Sequence, residues 1–562
     1  MQWWDDLWLN EGFASWAENW SAHECFPEYQ MWDQFVTDHL SRSLKLDGLL
    51  SSHPIQVSIK HAEEVEQVFD AISYCKGGSV VRMICAVLGM PNFQKGLQNY
   101  MAKHAYSNTE TLDLWQAWQD VSGMPIQEMM ASWTEQMGFP LVKVVKEDWQ
   151  DDKVVLELEQ SWFLGDGSDV PEDGKSKLWT IPILTVTSAG VQQDMILMRE
   201  KSATITIPLT SKSDWVKLNA GQEVPMRVQY TEGMLARLSK AVDAKEMKAP
   251  ADRVGLIMDA YALVKAKKMT PEGLIKLLAG FKREDDCVVW QGLSDALGGL
   301  EMVLSEDEAL YALFRKFARE LVLPLVDQVG WEAKPGAAHL TSILRGIMVS
   351  LLGTFCCDDE QVKMEAKTRC EAFLEDPATA TALPTDIKSP VFKIYLKTGG
   401  EKEYDATKAY YYKAKDNAER KHVLNTLGQT PDPKLQLATL DWTTSGEVKL
   451  QDFFYAMGSV GRSGKQGREI AWQYFQDNHK RLSEMLANAS PSLMDAVIVF
   501  CSGGFCSEAK ADEIEAFFKE HPFPKNERKI AQMTENMRAN GKFLEILKAS
   551  DLSKADFWGS LM

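Results

Sequence analysis

Residues 1–20 read Met1-Gln2-Trp3-Trp4-Asp5-Asp6-Leu7-Trp8-Leu9-Asn10-Glu11-Gly12-Phe13-Ala14-Ser15-Trp16-Ala17-Glu18-Asn19-Trp20, with five tryptophans. Leu9, Phe13, Trp16, Ala17 and Trp20 recur at i, i+4, i+7, i+8 and i+11, one face of an α-helix. Asn10 is the expected cap and Pro27 the expected stop. Chain ends are ordinarily frayed and solvated, and five large aromatics cannot be left so without exposing a sticky patch. They must pack against something, and the expected partner is sequence upstream of Met1. A secretory signal would begin with positive charge and a plain apolar run, whereas this stretch begins with aromatics around Asp5 and Asp6. The two aspartates are expected on a solvated face or as caps.

Beyond this helix the pattern falls into three regimes. Val80, Val81, Ile84, Val87 and Leu88 repeat the helical period up to Gly89-Met90-Pro91, and helical patterns continue through 115–137. At Gly138-Phe139-Pro140 the texture changes. Stretches 153–159, 178–188, 195–198 and 204–208 are short, β-branched or alternating, and punctuated by turns such as Pro171-Glu172-Asp173-Gly174. From Met234 onward only helical patterns occur, divided by short loops such as Thr430-Pro431-Asp432-Pro433. Paired helices stacked as a solenoid fit this stretch, although no strict period is present. The expected class is mainly α with a β module, divided at 1–138, 139–230 and 231–562.

Composition narrows the function. The 562 residues are 45% hydrophobic and 25% charged, which is ordinary globular usage, and carry a formal net charge of −19. An acidic surface repels phosphate backbones and anionic lipid, so no nucleic-acid partner is expected. No run approaches the 18 or more apolar residues of a membrane span. Nine cysteines without a repeated CxxC pattern suit reduced thiols and a cytoplasmic location.

Local motifs give little by themselves. No two of the nine histidines lie within four residues of each other, so no HExxH exists to place two imidazoles on one helical face. Cys501 and Cys506 lack a second pair and read as small buried thiols. The stretch from Gly458 to Gln466 has five residues between its outer glycines and lacks the hydroxyl that would hold magnesium, so it reads as a helix–helix turn. Asn488-Ala489-Ser490 is a glycosylation triplet that matters only in a secreted protein.

The motifs in series say more. Residues 3–14 closely resemble the segment carrying the third zinc ligand in the gluzincin aminopeptidases, the family of the puromycin-sensitive and membrane alanyl aminopeptidases. Further similar segments follow in family order: Ser52-His53-Pro54-Ile55, Phe69-Asp70-Ala71-Ile72-Ser73-Tyr74-Cys75-Lys76-Gly77-Gly78, Trp133-Thr134-Glu135-Gln136-Met137-Gly138-Phe139-Pro140, Trp215-Val216-Lys217-Leu218-Asn219 and Asp252-Arg253-Val254-Gly255-Leu256. The resemblance implies the C-terminal half of a thermolysin-like helical domain, a small β-sandwich and a HEAT-like helical superhelix.

It also implies a chemistry: a zinc-dependent aminopeptidase hydrolysing N-terminal residues from peptides with a free N-terminus. Glu11 matches the anionic zinc ligand and Tyr74 the oxyanion donor. Gly78 stands where the family commonly has Ala, a mild departure. The family pattern runs HExxH, eighteen residues, then Glu, yet only ten residues precede Glu11. The two His ligands, the general-base Glu and the loop gripping the substrate amine are therefore absent, and the chain reads as a fragment, inactive alone. The one zinc ion is expected only with those missing ligands. The other reading is a non-catalytic product that binds or regulates through its helical array.

Overall fold

The computed structural model describes residues 1–334, 336–377 and 383–561. It is mostly helical with a small sheet module, and divides into two compact units, Met1–Glu284 and Asp285–Met562.

In the first unit the opening helix is Trp8–Cys25. Asn10 lies inside it and not at its cap, because the short 3-10 turn Trp4–Asp6 leads directly in through Leu7. The aromatic terminus finds its partners within this chain, contrary to the expectation of an upstream one. Trp8 is 0% exposed and stacks on Trp115, while its indole N–H donates to Thr111. Trp16, 3% exposed, packs among Phe93, Trp20 and Trp32. Only Trp3 of the five remains largely exposed, at 57%. Asp6 is likewise buried and not solvated: its carboxylate accepts from the Thr111 backbone N–H (3.1 Å), the Thr111 hydroxyl (2.6 Å) and Gln56 (3.1 Å). It thereby caps the Thr111–Ser122 helix from another element.

The Gly77–Lys103 helix is interrupted where the sequence indicates, at Gly89 with φ 70° and ψ 149°, a conformation open to glycine and costly for other residues. By length and composition the stretch Ile72–Lys103 would suffice to cross a membrane, although Lys76, Arg82 and Lys95 interrupt its apolar residues. In the fold it is mostly buried against the Trp8–Cys25 and Thr111–Ser122 helices.

Strands begin at Pro140. Ser202–Pro208, Lys153–Trp162, Pro140–Trp149 and Arg227–Gln229 form a four-stranded sheet in that order, antiparallel except for the last pair. Thr185–Thr187 lies between Gly190–Val191 and Val216–Leu218, and Ile181–Ile183 pairs with Ile196–Met198. Inward residues Val154, Leu156 and Leu158 alternate with the more exposed Val155, Glu157 and Glu159 and join a single apolar core with Trp8, Trp133 and Met130. Helices before residue 138 and strands after it therefore share one interior.

The second unit is helical throughout its described residues. Sequence-adjacent helices pack pairwise, such as Glu308–Val329 on His339–Phe355 and Glu360–Glu375 on Lys388–Thr398. Their starts follow the capping rule: Asp286, Asp307, Asp359, Asp416, Asp432, Ser490 and Ser507 each accept from a first-turn N–H. Ser490, part of the glycosylation triplet, is one of these caps. The stretch from 458 to 466 spans the end of one helix, Phe453–Gly461, a turn at 462–464 and the start of the next, Lys465–Met485. Cys501 is buried, with its thiol pushed up by burial, whereas Cys506 is half-buried.

Candidate active site

Glu11 sits in the first turn of the Trp8–Cys25 helix, where the helix dipole favours a carboxylate. Tyr74 lies 63 residues later on a π-helical turn, Ile72–Lys76, that runs into the Gly77–Lys103 helix. The Lys76 N–H donates to Ala71 O across five residues (2.9 Å). Such single π turns are frequent at functional sites.

Two glycines bring these residues together. A Cβ on Gly12 would lie 2.8 Å from both Cα and the carbonyl carbon of Gly77, and one on Gly77 would lie 3.0 Å from the Gly12 Cα. The two helices thus meet backbone to backbone, one residue from Glu11 and three from Tyr74. The Tyr74 hydroxyl lies beside the Glu11 carboxylate, within reach of a hydrogen bond to it. Its pKa is pushed up to about 12, first by burial, then by that hydrogen bond and the Glu11 charge. At neutral pH Tyr74 therefore keeps its proton and is a donor. Phe69 flanks its ring at 6.4 Å between centroids.

Around this pair the turn is tied down on both sides. Before it, the Asp70 carboxylate accepts from Ile72 N–H (2.8 Å) and Ser73 N–H (3.4 Å), and pairs with His53 at 2.9 Å. After it, Lys76 forms a fully buried ion pair with Asp47 at 2.8 Å. Lys76 also donates to Gly138 O (3.0 Å), while Gly138 N–H donates to Asp47 (3.0 Å). Glu18, one helical face along from Glu11, is exposed and lies 3.6 Å from His39. Burial, followed by the Arg42 charge, outweighs Glu18 and lowers the His39 pKa, so at neutral pH this contact is not an ion pair.

Sequence reading missed Gly12 and Asp47, and gave a cap at Asp6 only as an alternative to a solvated face. A glycine inside an otherwise helical pattern is the one signal that marks a close backbone approach, and Gly12 and Gly77 both carry it.

Among the described residues no group of three or more His, Cys, Asp or Glu side chains is arranged to hold a metal ion. Glu11 is a single carboxylate donor. Its chemistry suits one position of a zinc site and does not complete one.

The sequence matches the peptidase family M1 domain over residues 1–133, the stretch that holds Glu11 and Tyr74, and the ERAP1-like C-terminal domain over residues 215–539, more than half the chain. The chain belongs to the family of the ERAP1-like C-terminal domain. Similar proteins include aminopeptidase M1-B of Oryza sativa subsp. japonica, 32% identical over 562 residues, covering 98% of this chain and 62% of the relative. Aminopeptidase M1 of Arabidopsis thaliana is 32% identical over 568 residues, with 98% and 62% covered. The alanine/arginine aminopeptidase of Saccharomyces cerevisiae is 32% identical over 546 residues, with 97% and 61% covered. The chain thus spans about three fifths of the length of these relatives.

Proposed function

We propose that this chain carries one face of the active site of a zinc aminopeptidase, which removes N-terminal residues from peptides with a free amine. The observation that carries the reading is the Gly12–Gly77 approach, which brings Glu11 and Tyr74 together within the segment similar to the M1 domain.

Glu11 would supply the carboxylate ligand, with the two imidazoles and the general base coming from outside the described residues. Zinc, when bound, supplies Lewis-acid polarisation and water activation. What this chain does in the reaction rests on Tyr74. Its hydroxyl is protonated, already beside a negative oxygen, and held on a turn fixed at both ends. As charge develops on the scissile carbonyl oxygen, the same O–H donates there. A preorganised donor of this kind is worth about 10²–10³ in turnover.

The organisation that goes with this reading is 1–138 as the C-terminal part of a thermolysin-like domain, 139–230 as a β-sandwich and 231–562 as a HEAT-like superhelix. Nine free cysteines fit a reducing, cytoplasmic setting. The single donor favours a second reading for the 562-residue chain by itself: a non-catalytic product that binds partners through its helices.

The test uses the protein at the length its gene encodes, with an aminoacyl arylamide and its N-acetylated analogue. The free-amine substrate should be cleaved and the acetylated one spared, and Glu11→Gln should remove both bound zinc and turnover. Turnover indifferent to Glu11→Gln, or equal cleavage of both substrates, overturns the reading.

A further inference from the structure

We infer that His53 and Asp70 are positioning residues for the Tyr74 hydroxyl; the inference rests on the reading of Tyr74 given above. The first N–H groups of a helical turn have no partner within it and must be satisfied from outside. Here Asp70 does this for the Tyr74 turn. One carboxylate oxygen accepts from Ile72 N–H (2.8 Å) and Ser73 N–H (3.4 Å), and its backbone oxygen accepts from Tyr74 N–H (3.1 Å). The orientation of Asp70 therefore fixes where the turn begins, and with it the Tyr74 ring.

The other carboxylate oxygen is held by His53 Nε2 at 2.9 Å, while His53 Nδ1 lies 2.7 Å from Pro54 O. A carbonyl oxygen only accepts, so Nδ1 carries a hydrogen. The pair is shielded from solvent, with side chains 5% and 15% exposed. His53 is anchored in its turn. Its loop is pinned to the core where Gln56 N–H donates to Thr134 O (2.8 Å), Thr134 Oγ1 donates to the Gln56 side chain (2.8 Å), and Gln56 Nε2 donates to Asp6 (3.1 Å). A chain of contacts thus runs from the core through His53 and Asp70 to the turn that carries Tyr74. Ser73 adds a second tie through its hydroxyl to Val68 O (2.6 Å).

A purely structural contact would influence stability and leave the Tyr74 environment alone. The two are separated with the full chain labelled with 3-fluorotyrosine, the Tyr74 resonance being the ¹⁹F signal lost in Tyr74→Phe. His53→Gln keeps a donor amide and removes the ring; Asp70→Asn keeps an oxygen to cap the turn and removes the carboxylate. In at least one of these variants the Tyr74 resonance should shift or broaden while the other tyrosine signals stay in place. In the protein at its encoded length, kcat should fall about 10–100-fold with KM little changed, the usual effect of losing a partner that orients a site residue. A Tyr74 signal unmoved in both variants, or collapse of all signals in both, overturns the inference. The catalytic reading is judged separately by Tyr74→Phe. A moved resonance with a fully active Tyr74→Phe protein leaves the positioning intact and removes the catalytic role.

Discussion

Gly12→Ala is the most informative single change, because it adds one methyl group where two helix backbones touch. The new Cβ would lie 2.8 Å from Gly77 Cα and carbonyl carbon and 3.1 Å from Ser73 O. Carbon atoms pack comfortably at about 3.5–4.0 Å, so the Trp8–Cys25 helix must move away from Gly77 by roughly 0.7–1.2 Å. The obstructing atoms are main chain in another buried segment, and none can swing aside. Overpacking of this sort costs about 1–3 kcal/mol. At roughly 2–4 °C per kcal/mol for a unit of this size, the Tm of the first unit should drop by about 2–12 °C. The same movement opens the Glu11–Tyr74 contact, and a misplacement of about 1 Å at a reacting group costs on the order of 10² in rate. Calorimetry of the chain reads the first effect, and arylamide turnover at the encoded length reads the second. Gly78→Ala is the control: its Cβ would meet Ser15 Cβ at 3.3 Å and Gly12 O at 3.4 Å, so it should be tolerated with a change within about 1 kcal/mol once the helix preference for Ala is included. Gly12→Ala with an unaltered Tm and unaltered turnover would refute the close-approach argument.

Other outcomes follow from the neighbouring contacts. Lys76→Met leaves the Asp47 carboxylate buried and unpaired, and should cost about 3–5 kcal/mol, read as a lower urea midpoint; an unmoved midpoint contradicts the ion pair. The Tyr74 pKa is raised from 10 in the unfolded chain to about 12 in the folded one. Its contribution to stability is therefore fully present below pH 10 and is lost as pH rises through about 12. In a spectrophotometric titration, Tyr74→Phe should remove one phenol from the late-titrating group, and loss of a phenol titrating near 10 would show that the Glu11 contact is missing.

The sequence was legible wherever one local rule governs the outcome. Gly89-Met90-Pro91 breaks its helix because only glycine adopts that backbone readily, and Thr430-Pro431-Asp432-Pro433 ends in a capped helix start at Asp432. The strands from 153 and 204 were readable from alternation. The Pro140–Trp149 strand was harder, because a register shift between Val144 and Lys146 breaks the period of two and its far end is polar and exposed. Arg227–Gln229 is three residues long and pairs in parallel with a strand far away in sequence. At the site, Glu11 and Tyr74 could be singled out only through motif similarity. Nothing in their local sequence says that residues 63 apart will touch. Asp6 shows the opposite failure. Two adjacent aspartates suggest a wet surface, and only the fold reveals that Thr111 and Gln56 supply the hydrogen bonds that make burial affordable.

The central claim is that Tyr74 donates to the developing oxyanion beside the Glu11 carboxylate, and steady-state kinetics of Tyr74→Phe in the protein at its encoded length tests it most directly. The substitution removes one oxygen and keeps the ring. The account predicts a fall in kcat of about 10²–10³, with bound zinc unchanged and KM little altered, the signature of an interaction made mainly in the transition state. A near-normal kcat, or a loss of zinc or of fold in its place, would contradict it.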